Sequence, residues 1–576
     1  MTLLLFLTLI AYEASLFEVE EDRDLEILLD EMEFLASHPL DINVAGFDDL
    51  VKILYLRPTD CLKIIEYRTL HGPYRKTEDL LNVPGFDEAL YDKIRPFITV
   101  KAKPLRIEKC NVRLRSITEL PRSDLSEEYY TRSEVKYGNY SMHLITEKDP
   151  FEDSFFDYYA VGFFASNDVR SFALGKYNLD FGSGVLLSPV GSFLYSTDFR
   201  VITRERGLFP YTSVLENSGF FGAAYSDSLL LRYAIFFSQQ NLDGRVDTLG
   251  FARSFDVSGE HTDSLSRSRK DQINERLFGY DAHYRISGLQ ISSRSYWCMY
   301  DPPFVCTDST TQFYGDKFWT TGIGLNYYAE SFVIVSELAR SFRNRIGGLF
   351  GFNGQFSSFD VQLAGKYFPV QFYSPKGVEA GDDYVGGVLV VRYQSSIADL
   401  GVTVSIDGDT ETDSSKYKVQ LNFEKKIGIV SAKLQTRWRW YGGEQDYASS
   451  RAFLRVTPFR YLFFDIRLED KYVYDMGNVS TGLFAALEMG FEFKAIRARL
   501  RYGVFDTDDY DARLYVYETD LPGVIKNRML YGDGHYGFIY CAAKPLQSVT
   551  VSAKYSIMEK GDMLDKRVGA QLDIRL

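Results

Sequence analysis

Beyond its first dozen residues the sequence has no apolar run approaching the roughly 18 to 20 residues that a membrane-spanning helix needs, which excludes a helical membrane protein. Cysteine and histidine are scarce. Five Cys form no CxxC pair and six His form no HExxH, so neither common zinc arrangement is expected. No GxSxG elbow supports a nucleophile. Positive charge is not in excess either: 65 Lys and Arg face 79 Asp and Glu, a formal charge of -14, which argues against a generally basic nucleic-acid coat protein. What is present is 15% aromatic residues in 576, with 45% hydrophobic and 25% charged, a β-rich composition rather than a disordered one.

The first segment, residues 1–16, reads as a probable signal peptide: Leu3 to Ala11 form an apolar core and Ala14 and Ser15 offer small residues for cleavage. No Lys or Arg precedes that core, so a start codon assigned too late and an ordinary buried helix are the alternatives. Residues 17–37 then read as an acidic amphipathic helix, with nine acids from Glu18 to Glu33 and Leu25, Leu28, Leu29, Met32 and Leu35 at helical spacing. Cys298 and Cys306 bracket CMYDPPFVC; its proline pair either turns the chain into a disulfide or leaves two buried thiols.

Residues 38–103 carry two helical repeats. HGPYRKTEDLLNVPG (71–85), Ile94-Arg95-Pro96-Phe97, and the opening DINVAGFDDLVKIL followed by IIEYR resemble the tandem helix-hairpin-helix module of competence DNA receptors of the ComEA type. Such a hairpin holds a phosphate through exposed backbone N–H groups at a helix start without reading bases. Here the first hairpin, Leu56 to Asp60, contains no Gly, and Pro58 removes one donor. In the second, Pro84-Gly85-Phe86-Asp87, an acid stands where the family pattern has its second Gly and would repel a phosphate. Ten Lys and Arg balance ten Asp and Glu across the module, so weak DNA affinity is expected at physiological salt. If DNA is bound, Gly85 and Phe86 offer the amides and Arg57, Lys63, Lys93 and Arg95 the charge; otherwise the module is structural or docks a protein.

From 104 to 576 the period changes to two. Val430, Ala432, Leu434, Thr436, Trp438 and Trp440 alternate with polar residues, as do Ile496, Ala498, Leu500 and Tyr502 with Arg497, Arg499 and Arg501. Turn clusters such as Gly442-Gly443 separate these segments, and the spacing predicts roughly 22 to 26 strands of a large transmembrane antiparallel β-barrel. The fold class is therefore mainly β with a small all-α domain in front. Gly175-Lys176-Tyr177 through Val185, Pro210-Tyr211-Thr212-Ser213 through Asn217, Gly219 to Ala224, and FDTDDYDARLYVYETDLPG (505–523) resemble a family of Gram-negative outer-membrane β-barrels with an N-terminal helix-hairpin-helix region. The resemblance implies architecture, not a reaction.

Several constellations remain. His261 beside Asp263 suggests a hydrolytic set but reads better as a solvated loop. Asp407, Asp409, Glu411 and Asp413 lack the EF-hand positions and read as a hairpin tip, and Asp506, Asp508, Asp509 and Asp511 read as turn residues. Arg437, Arg439, Arg497, Arg499 and Arg501 form same-face basic ladders, expected to line the lumen either as a path for an anion or as salt-bridged filling with Asp465, Glu469 and Asp573. The expectation is an outer-membrane barrel with its module in the periplasm, in contact with lipid, DNA or a periplasmic protein. No enzymatic activity, cofactor or metal is expected. Transport or uptake is the first reading and an assembly role the second.

Overall fold

The computed structural model describes Met32, Leu35, Ala36, residues 39–100 and residues 108–576, apart from 54, 121–125, 153–156, 168, 189–204, 229–230, 257–258, 260, 287, 307–312, 370, 378–383, 396–397, 409–414, 442–445, 525 and 562. The expected signal peptide lies outside the described residues, as do all but three residues of the acidic helix and most of the acidic tip after Asp407. Of that helix, Met32 and Leu35 are buried in the module core.

The module is built on three helices, α1 (Phe47–Leu50), α2 (Pro58–His71) and α3 (Glu88–Ile94). Their starts are set by side-chain acceptors for otherwise orphaned N–H groups. Asp49 accepts from the Gly46 N–H at 3.1 Å, Asp60 from the Arg57 N–H at 3.0 Å, and Asp87 from the Leu90 N–H at 2.7 Å. Asp87 therefore serves its own helix as a cap. Gly72, at φ +84°, ends α2 in a conformation that L side chains rarely adopt. A parallel pairing of Leu40–Asp41 with Ile98–Thr99 brings the two ends of the module together.

The rest is a closed antiparallel barrel of 24 strands. Each strand pairs with the next in sequence, and Glu108–Leu120 closes the ring on Met563–Arg575, with Arg113 opposite Asp573 across the seam. Strand alternation puts one face on lipid and the other inside. On Gly315–Tyr328, Trp319, Ile323 and Leu325 are exposed, while Phe318, Thr320 and Asn326 between them are buried. Apolar residues repeat this outward pattern around the ring, a surface far larger than the apolar patches soluble proteins tolerate. Closure pairs every strand edge, as the hydrocarbon layer requires.

The two rims differ. One consists of tight turns such as Phe356–Phe359, Ile427–Val430 and Phe493–Ile496. The opposite rim carries the long connections 180–220, 242–273, 368–384 and 507–533. Parts of these fold inward: Val185, Leu186 and Leu187 are essentially fully buried, as are Leu514, Val516 and Leu530 of the hairpin Leu514–Glu518 with Lys526–Leu530.

Candidate functional site

The module sits against the tight-turn rim. Phe47 on α1 meets Tyr328 edge-on at 4.7 Å between ring centroids, and the Arg285 guanidinium stacks over both rings at 4.7 and 4.6 Å. Arg57, at the start of α2, donates to Asp60 at 2.7 Å and to Asp360 on the barrel wall at 2.7 Å. Burial works against its charge, but Asp60 and Asp360 together raise its pKa above the ordinary arginine value. Lys63, nearly two turns further along α2, donates to Gln355 at 2.9 Å.

The six residues singled out for DNA are therefore divided. Arg57 and Lys63 are engaged with the barrel. Gly85 is exposed, yet the Lys63 ammonium stands 3.2 Å from where a Gly85 side chain would begin, so the second hairpin lies along the same rim. Phe86 is buried in the module core, Lys93 lies over the Tyr55 ring at 5.5 Å, and Arg95 is exposed. The hairpin ends that would hold a phosphate run along the wall of the same chain.

The basic ladders also divide. Glu488 stands opposite Arg501 and Glu492 opposite Arg497 across neighbouring strands. Arg501 pairs with Glu488 at 2.5 Å, Arg499 with Glu488 at 3.6 Å and, at short range, with Glu492, and Arg497 lies 3.9 Å from Glu492. The partners expected from the sequence serve other arginines: Asp465 pairs with Arg455, Glu469 with Arg451 and Arg467, and Asp573 with Arg113. Strand register, which sequence spacing does not reveal, decides this. Arg437 and Arg439 remain half-buried, with Arg439 reaching the Tyr441 hydroxyl at 3.2 Å.

The sequence reading missed a third constellation at the long-connection rim. His261 is 4% exposed, not a solvated loop residue, and Asp263 turns away to cap the helix Ser264–Arg269 by accepting from the Ser266 N–H at 2.7 Å. Around His261 gather Glu152 and Asp157 from one connection, Glu216 from a second, and Asp243 from a third. Nδ1 lies 2.8 Å from Asp157, 3.7 Å from Glu152 and 3.8 Å from Glu216; Nε2 lies 3.1 Å from Asp243. Lys270 approaches from the side, 2.6 Å from Asp157. Burial, countered by Lys270 and reinforced by Asp243, Asp157 and Glu152, pushes the Glu216 carboxyl up to about 9. Burial works in the same direction on Asp157, but hydrogen bonds from Lys270 and His261 hold it below the ordinary range. The signal in the sequence was the clustering of acids just before or after strands, but no local spacing joins residues 152, 216, 243 and 261.

Other readings resolve simply. Asp508 accepts from the Thr481 N–H and hydroxyl, each at 2.7 Å, and Asp509 from the Asp511 and Ala512 N–H groups, which is turn chemistry. Cys298 is buried within the strand Leu289–Phe304 while Cys306 is exposed beyond its end, and the two form neither a disulfide nor a pair of buried thiols.

A family described as the helix-hairpin-helix motif matches residues 36–99. The mouse (Mus musculus) protein named endonuclease/exonuclease/phosphatase family domain-containing protein 1 is 38% identical over 56 residues. That stretch is 10% of this chain and 10% of the mouse protein, so the chain spans about a tenth of this curated relative's length. Among solved structures, the translocation pore of the P pilus usher PapC shares 9% identity at a TM-score of 0.38, over 81% of this chain and 99% of that one. The ferric enterobactin receptor PfeA (G324V mutant) of Pseudomonas aeruginosa shares 8% at 0.43, over 83% and 82%. The copper transporter OprC shares 8% at 0.39, over 83% and 82%.

Proposed function

We propose that this chain is a non-enzymatic transport component of an outer membrane, in which the helix-hairpin-helix module acts as a lid docked across the periplasmic mouth of its own barrel. Barrels of this class turn tightly on the periplasmic side and carry their long loops outside, which supports a periplasmic position for the module's rim. The observation that carries the reading is the buried Arg57–Asp360 ion pair, made by the residue at the head of the first hairpin. Charge there is spent on closing the chain on itself rather than offered to a phosphate. Release of the lid would free Arg57, Lys63 and the second hairpin together, so the same contacts make the mouth a switch.

The test uses the full-length protein in planar bilayers. Charge reversal by Arg57→Glu sets a carboxylate against Asp60 and Asp360, and the expected result is a severalfold rise in conductance or open time with heat-modifiable gel migration unchanged. Equal conductance of the folded variant and the wild type would overturn the lid. A parallel series measures retention of labelled double-stranded DNA by the full-length chain across salt concentrations. Retention by the intact wild type that is lost in Lys93→Glu with Arg95→Glu would favour the DNA-uptake reading; a periplasmic protein captured by the intact module would favour the docking one.

A further inference from the structure

The His261 cluster gathers four carboxylates and one imidazole from three separate inter-strand connections, and its charges do not balance. Glu152, Asp157, Glu216 and Asp243 face the ring from both sides, with Lys270 as the ammonium among them. A neutral imidazole carries one N–H, yet both ring nitrogens point at carboxylate oxygens, which only accept. One nitrogen can donate. The other faces oxygen lone pairs unless the ring carries a second proton or a cation lies between them.

The surroundings distinguish the two nitrogens. On the Nε2 side, Asp243 is held by two further donors, Asn217 Nδ2 at 3.1 Å and the Asp271 N–H at 2.8 Å, and is thus an oriented acceptor for Nε2–H. A histidine that donates its outer N–H to a fixed carboxylate has its other nitrogen's lone pair free for a metal, the arrangement common at metal-ligating histidines. On the Nδ1 side, Asp157, Glu152 and Glu216 converge within 3.8 Å. The ligand atoms of Glu152, Asp157 and His261 lie within 4.8 Å of one another, and so do those of Glu216, Asp243 and His261. Glu152 is oriented by the His261 and Asp149 N–H groups, each at 3.0 Å, whereas Glu216 approaches the ring at 3.8 Å.

We propose that this cluster binds a divalent first-row transition-metal cation through His261 Nδ1 with Asp157, Glu152 and Glu216, while Asp243 fixes the imidazole tautomer. One nitrogen with several carboxylate oxygens suits zinc or manganese, whereas calcium takes oxygen ligands alone. Lys270 holds the cation's place: its ammonium lies 2.6 Å from Asp157 and 3.5 Å from Nδ1, and its side chain is 30% exposed, so it has a path to solvent when the ion enters. Bound there, the ion would staple the connections after Lys148, before Phe220 and after Leu242 at the long-connection rim, next to the inward-folded chain.

The experiment takes the full-length chain in detergent, strips it with chelator, and titrates zinc alone, manganese alone and calcium alone by calorimetry, with bound metal counted by mass spectrometry. Zinc or manganese is expected to bind at one ion per chain, with His261→Ala abolishing binding. Asp243→Asn, which removes the carboxylate that fixes the ring, should weaken binding by about 10- to 100-fold. Asp263→Asn, at the neighbouring helix cap, should leave it unchanged. Cobalt binding to the wild type supplies a readout independent of any variant's folding, because an imidazole and carboxylate set gives a visible d–d absorption band that hexaaqua cobalt lacks in intensity. Absence of stoichiometric zinc or manganese, binding of calcium alone, or binding retained in a folded His261→Ala variant would each overturn the assignment.

Discussion

The wall from Ile273 to Phe368 and the wall from Asp399 to Phe459 are built by the same alternation of residues, yet their inward side chains meet different surroundings. On the first, Leu277, Arg294, Thr320 and Glu337 are at most 1% exposed. On the second, Lys433, Gln435, Arg437 and Arg439 are half-buried, and among the described residues only Thr403, Ser405 and Gln420 are buried. A ring of 24 strands encloses a lumen wider than side chains from its wall can fill. The chain fills one side with its own connections, while the inward side chains described on the other stay mostly half-buried. Alternation of apolar and polar residues therefore tells which face is inward, but not whether the inward face is dry.

Four variants test that contrast. The largest effect is expected at the filled side, where Arg294 lies 3.0 Å from Asp281, 2.7 Å from Glu337 and 3.8 Å from Glu205. Arg294→Met leaves those acids buried without their cation and should cost about 3–5 kcal/mol, read as the urea midpoint of the purified barrel. Next comes the lipid face of the same wall: Ile323→Arg, at a site 63% exposed, should cost about 2–4 kcal/mol when unfolding is measured in bilayers and much less in detergent. At the module, outside both walls, Asp87→Ala removes the cap of α3 and should cost about 1 kcal/mol, seen as faster amide exchange at Leu90 with the barrel unaffected. Last comes the half-buried wall. Arg437→Glu with Arg439→Glu should cost less stability than Arg294→Met while moving bilayer ion selectivity severalfold toward cations. A large loss of stability there would erase the distinction between the two walls.

Much of the architecture was legible in the sequence because it depends on local periods. The two-residue alternation of Ile496 to Tyr502 sets Leu500 and Tyr502 outside with the arginines between them inside, as the strand shows. The helical module was equally readable, since its turn and cap residues act within four positions of one another. The candidate site was not. His261 looked like a loop residue because its partners lie 18 to 109 residues away in sequence. Two of the phrases that carried the family resemblance are instructive here, because parts of them turn out to be filling. Gly182 lies so close to the Arg294 guanidinium that any side chain would collide with it, Ser183 donates its N–H to Glu337 at 2.7 Å, and residues 514–518 form the first strand of the inward hairpin.

The residue order by itself determined that this protein has a small helical module followed by a long run of strands, apolar on one face and charged on the other, because backbone geometry converts periods of 3.6 and 2 directly into faces. Tertiary structure alone decided that Arg57 closes on Asp360, that Arg499 and Arg501 pair with Glu488, and that His261 is ringed by carboxylates. Those pairings depend on ring closure, strand register and the direction in which each connection folds, and these bring together residues that no local rule relates.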